Sequence, residues 1–302
     1  MTLYQVLLLT VLTAPDLPRH YQRDETSVGP LYSWGWTEER RAELKTTIPA
    51  AVQRVAARLG KRTRQPFTTV LTPDGGEFRK AIKRFTHGYV VDDQVVGVAL
   101  PGARILVVRG GIPPGFNSFT ETLQHEIAHL VLHEGRLETL PRWFDEGAAM
   151  WASGHRPRKD DDAHMSLLAR AGGLYSLQAL ADEFPSGHRG RTSAYLQSFL
   201  LVSFLEEQVG ASGLATLVER LTTDNFAELL AEITPYATAE FEKRFADWVA
   251  TRYSLGWSLL GFINLWTVAA LLALVAIARS LLRRRRLLRK MEQEERDEEE
   301  LT

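Results

Sequence analysis

Apolar residues recur every three or four positions between Glu38 and Leu59. Leu44, Ile48, Val52, Val55 and Leu59 fall on one side, which predicts an amphipathic helix closed by Gly60. The period then shortens. Phe67 to Leu71 is a short β-type run ended by Pro73-Asp74-Gly75-Gly76, Glu77 to Phe85 returns to helical spacing, and Tyr89 to Val98 and Arg104 to Val108 read as strands. Leu123, Ile127, Leu130 and Val131 form a stripe that buries another helix, with Thr120 or Thr122 as its cap and Gly135 as its stop. Pro141 opens a further helix after a short loop, and the charged stretch Gly154 to Asp162 reads as a loop. Tyr195 to Gln208, Gly213 to Leu221, Phe226 to Ile233 and Thr238 to Tyr253 carry helical patterns. A helix, a sheet and then mostly helices predict an α+β domain rather than alternating βαβ units.

Both ends depart from this amphipathic alternation. Residues 1–14 contain an apolar run too short to span a bilayer, and they read as a signal peptide despite lacking a basic leader. Leu255 to Ala278 is uncharged over 24 residues, the length of a membrane-spanning helix. It is followed by a tail, residues 279–302, that is first basic (Arg279, Arg283 to Arg286, Arg289, Lys290) and then acidic (Glu292 to Glu300). Positive flanks stay cytoplasmic, so the expected topology is single-pass in the cell membrane, with residues 15–254 outside and the C-terminus inside. Only Ser254 to Trp257 separate the last predicted helix from the bilayer, which puts the domain close to lipid.

Composition narrows the chemistry. The 302 residues are 45% hydrophobic and 24% charged with a formal net charge of −1, ordinary for a globular domain and without the basic excess that nucleic acid binding needs. Cysteine is absent, which excludes disulfides, thiol catalysis and thiolate metal ligands.

His125-Glu126-Ile127-Ala128-His129 spells H-E-x-x-H. Two histidines four apart on a helix lie on one face about 6 Å apart in rise, and their ring nitrogens can converge on one Zn²⁺. Glu126 is offset around the same helix, where a general base acting on water belongs. A catalytic zinc takes three protein ligands and keeps one position open. His133 continues the series but lies about 12 Å from His125 along the axis, too far to share the ion. The third ligand must come from a second element, and the segment Leu140 to Trp151 is the nearest source. Glu146 sits one turn into its helix and Asp145 beside it has a shorter arm. Gly147, Ala148 and Ala149 permit close helix approach. Asp145 and Glu138 are candidates to hold the histidines in their tautomers.

The pair His125-Glu126-x-x-His129 and Trp143-Phe144-x-Glu146-Gly147-x-Ala149 resembles the peptidase MA-like family, a gluzincin branch of the thermolysin-like zinc peptidases. Further similarity runs through Pro66 to Ile82, Gly102 to Val108, Leu174 to Leu177 and Ala194 to Ser198, so that roughly Thr37 to Tyr253 is covered. The resemblance implies a zincin fold with a small antiparallel or mixed sheet and a mostly helical C-terminal half. It implies one zinc per chain on His125, His129 and Glu146, with Glu126 as base and a peptide or protein as substrate. Tyr195, expected at a helix start, is the candidate oxyanion donor, with His155 and His188 as alternatives. The strand Arg104 to Val108 is the expected edge for an extended substrate. An aminopeptidase would need an acid for the substrate amine, and the sequence identifies none. A catalytically silent scaffold that binds a protein partner is the alternative function, although neither base nor ligand is missing. Oligomeric state is not legible.

Overall fold

The computed structural model describes residues 17–299, apart from 62, 64, 87, 94, 113–117, 136–139, 156–158, 222–225, 235 and 253–264. The proposed signal 1–14 and the first part of the proposed span, residues 255–264, lie outside these.

The chain divides into two compact units, residues 1–251 and 252–302. In the first, a five-stranded mixed sheet is followed by helices. Strands β1 (Gln22–Thr26) and β2 (Gly29–Ser33) form an antiparallel hairpin. Helix α1 (Glu38–Arg58) follows, then β3 (Thr68–Thr72), α2 (Gly75–Phe85), β4 (Gly97–Leu100) and β5 (Ile105–Arg109). The order across the sheet is β1-β2-β3-β5-β4. β3 runs parallel to β2 and β5, and β4 is antiparallel to β5. Leu31, Val70, Leu71, Leu106, Val107 and Val108 are fully buried, as a sheet covered on both faces requires. Helix α2, capped by Asp74, brings Phe78, Ile82 and Phe85 against Val70, Val98 and Val107.

Helices α3 (Phe119–Leu132) and α4 (Arg142–Ser153) come next, followed by α5 (Lys159–Arg170), α6 (His188–Arg220), α7 (Phe226–Ile233) and α8 (Thr238–Arg252). α3 packs on α1, β4 and β5, and α4 lies between α3 and α6.

The α+β expectation holds, with corrections in detail. Tyr89 to Val98 is a strand only from Gly97 onward. The segment before it turns at Asp92, whose carbonyl accepts from the Val95 N–H, and Asp93 is tied to Arg79. β5, expected as a free edge, is paired on both sides; the edge on its side of the sheet is β4. α3 is capped by Ser118 rather than Thr120 or Thr122, in a capping box with Glu121. Part of the expected loop from Gly154 to Asp162 is already the start of α5, where aspartates complement the helix dipole. α6 begins seven residues before Tyr195 and bends at Gly210, where φ is 73°.

The second unit contains α9 (Leu265–Glu299), which carries Leu271, Leu272, Leu274 and Val275 exposed on its surface. Among the described residues no helix is long and apolar enough to cross a membrane.

Candidate metal centre

α3 presents its histidines because its apolar stripe is fixed. Leu123, Ile127 and Leu130 are fully buried, and His125 and His129 project beside them toward α4. α4 starts at Pro141 and buries Trp143 and Phe144, which rotates Glu146 toward α3 and leaves it 7% exposed. The Nε2 atoms of His125 and His129 are 3.2 Å apart. Glu146 Oε2 lies 3.4 Å from the first and 3.7 Å from the second. Ligands on a tetrahedral zinc at about 2.0–2.1 Å are separated by roughly 3.4 Å, so the three atoms have the spacing of such a site. This group can hold a metal ion. The donor chemistry agrees. His129 Nδ1 is 3.0 Å from Asp145 Oδ1, and a proton on Nδ1 donated there leaves the Nε2 lone pair for the group with His125 and Glu146. When both Nε2 atoms present lone pairs, their approach to 3.2 Å favours a cation shared between them.

The charges around the group are shifted in a consistent way. Burial pushes His129 down, helped by His125, to a pKa of about 4, which keeps it neutral and able to ligate. Burial alone would raise Glu146, but the hydrogen bond with His125 and the charges of both histidines and Arg142 bring it to about 2. His125 moves up, because Glu146 and Glu126 outweigh its burial. Burial and the adjacent Glu146 push Asp145 upward.

Glu126 is not part of the triangle. Its Oε2 accepts from the Ala99 N–H of edge strand β4 at 2.8 Å, and burial raises its pKa to about 7. A Cβ at Gly97 would lie 2.7 Å from Glu126 Cγ and 2.9 Å from Thr122 Cγ2, so this glycine makes the room that Glu126 occupies. Tyr195 lies two turns inside α6, not at a helix start, and its hydroxyl donates to Glu146 Oε1 at 3.3 Å. The negative charge of Glu146, followed by burial, holds the phenol well above its usual range. The ring of Phe184 meets Tyr195 edge-on at 5.0 Å and supports the Arg142 guanidinium 4.7 Å above its centre.

The structure therefore gathers His125, Glu126, His129, Glu146 and Tyr195 in one place. His155 stands near, with its ring against Phe199 and its pKa lowered by burial and by His125. His188 is exposed at the start of α6. Glu138 lies outside the described residues. Asp145 takes a position behind His129 rather than in the triangle. Sequence reasoning missed two contacts. One is the β4 edge at Ala99, a matter of tertiary pairing with no local signal. The other is the 3.0 Å contact of His133 Nε2 with Asp145 Oδ1, which the i+4 spacing from His129 could have suggested.

Three solved structures share low overall similarity with the chain. A two-domain M1 zinc metallopeptidase mutant bound to L-arginine is 14% identical, with a TM-score of 0.45 over 76% of this chain and 51% of that one. The M1 zinc metallopeptidase from Deinococcus radiodurans is 13% identical, with a TM-score of 0.45 over 78% of this chain and 52% of that one. Native yeast LTA4 hydrolase is 10% identical, with a TM-score of 0.40 over 78% of this chain and 37% of that one. The chain thus spans about half or less of these proteins. No curated protein matches it by sequence. The family model described as Peptidase MA superfamily matches residues 47–251, most of the chain and all of the site, and the protein belongs to that superfamily.

Proposed function

We propose that the protein is a zinc-dependent peptidase that hydrolyses peptide bonds. The observation that carries this reading is the triangle of donor atoms at 3.2, 3.4 and 3.7 Å with a carboxylate, Glu126, left outside it. His125, His129 and Glu146 are the zinc ligands. Zinc held there supplies a Lewis acid that polarises the scissile carbonyl and makes water acidic near neutral pH. Glu126, the carboxylate outside the ligand triangle, takes the proton from the attacking water and passes it to the leaving amine. The Tyr195 hydroxyl, kept protonated by Glu146, donates to the oxyanion. An extended substrate pairs with the edge of β4, beside Glu126. The uncharged stretch 255–278 and the arginines after it support a single-pass anchor with the catalytic unit extracytoplasmic and the tail cytoplasmic.

The test uses the full chain in detergent. It should bind about one zinc per chain. Glu126→Gln should keep the metal and lose peptide hydrolysis by roughly 10²–10⁴-fold or more. Equal hydrolysis by that variant would sink the mechanism. For the anchor, alkaline carbonate should fail to extract the protein from membranes, and release into the supernatant would refute it.

A further inference from the structure

His125, His129 and His133 form a row along α3 at successive i+4 positions. The first two converge with Glu146. The third does not reach that group. It is the C-cap residue of α3, with its backbone N–H bonded to the His129 carbonyl at 3.0 Å, so the helix end fixes where its ring starts. The ring turns toward α4 and places Nε2 3.0 Å from Asp145 Oδ1, the same oxygen that lies 3.0 Å from His129 Nδ1. Asp145 is completely buried, and its other oxygen, Oδ2, has no hydrogen-bond partner among the described residues.

We propose that His133 is a positioning residue for the metal centre: through Asp145 Oδ1 it fixes the ring orientation and tautomer of His129. This rests on the zinc reading above. Asp145 is one residue from Glu146, so any rotation of its carboxylate is felt by the metal group through His129. A carboxylate held by one donor can pivot about that bond. Two donors on one oxygen, one from each end of the last turn of α3, set its position. The carboxylate then fixes the proton of His129 on Nδ1 and keeps the Nε2 lone pair free and aimed at the ion. His133 itself is not one of the three converging donors.

The test is zinc affinity by chelator competition, on the full chain, for wild type, His133→Leu and His133→Gln. Leu fills a similar space without a donor, and Gln restores an N–H donor. His133→Leu should weaken zinc binding by roughly 10–100-fold, the usual effect of losing an outer partner of a ligating histidine, and His133→Gln should recover most of it. Metal-free melting temperatures establish that the variants fold alike. Equal zinc affinity in His133→Leu and wild type overturns the inference and leaves the zinc reading intact, whereas wild-type protein that binds no zinc overturns both. If His133→Leu does not fold, ¹⁵N-histidine spectra of the zinc-loaded wild type decide. A proton on His133 Nε2 and one on His129 Nδ1 are expected, and a bare Nε2 on His133 refutes the proposal.

Discussion

Gly147→Ala should separate two helices that the site needs close together. A Cβ at Gly147 would lie 2.2 Å from the Ser198 carbonyl oxygen, 2.7 Å from its carbon and 2.9 Å from Val202 Cγ2. The first contact is about 1.2 Å short of the 3.4 Å at which ordinary contact begins, and it is with backbone, so no rotamer change relieves it. Two effects compete. Alanine in a helix interior is favoured over glycine by about 1 kcal/mol. Overpacking costs about 1–3 kcal/mol, and a backbone clash belongs at the upper end. The clash wins by roughly 2 kcal/mol. For a unit of this size each kcal/mol moves the melting temperature by about 2–4 °C, so a fall of about 4–8 °C is expected. The displacement also acts on chemistry. Ser198 is on α6 three residues after Tyr195, and Gly147 follows Glu146. Moving the helices apart by about 1 Å ends the 3.3 Å bond from Tyr195 to Glu146. Differential scanning calorimetry with a fluorogenic peptide assay reads both consequences. A variant that melts within 1 °C of wild type, or that melts lower with full activity, would refute the reasoning.

Tyr195→Phe should retain zinc and reduce kcat by roughly 10²–10³-fold, measured with the same peptide; a change in KM alone would remove the hydroxyl from the oxyanion role. In metal-free protein Glu126 has a folded pKa of about 7 against an ordinary 4.5, so its contribution to stability falls as pH rises through that interval and levels off above it. The stability advantage of Glu126→Gln over wild type in urea titrations should therefore grow between about pH 5 and about pH 8, and a constant difference would contradict the raised pKa. Asp24 shows the opposite sign. Burial pushes its carboxyl up, but Lys45 at 2.7 Å and Arg41 at 2.6 Å together pull it below its ordinary 3.8. Its stabilisation, on the order of 1 kcal/mol, should be present at neutral pH and lost on acidification, and Asp24→Asn should show no such loss in acid urea titrations.

The parts legible in the sequence are those fixed within one helix. His125, Glu126 and His129 need only α3, and the apolar stripe of α3 says which way they face. The small residues after Glu146 announce a close approach, but not that Gly147 meets Ser198 on α6, because α6 is remote in sequence. The β1-β2 hairpin was illegible since Gln22–Thr26 has almost no apolar side chain and depends on pairing rather than on pattern. The same limit hid the sheet edge beside Glu126. Arg104 to Val108 has the stronger β-type composition, and it lies inside the sheet, paired on both sides, rather than at its border.

Asp145 and Glu146 are neighbours in the chain, yet one stands behind His129 and the other completes the triangle in front of it. Their division of labour comes from helical phase, since each step along α4 turns the side chain by about 100° and advances it about 1.5 Å. Single-residue insertions or deletions between Pro141 and Glu146 would swing one carboxylate into the other's place and leave a second pointing nowhere useful. The length of the stretch from Pro141 to Gly147 therefore matters to the centre independently of which side chains fill its other positions.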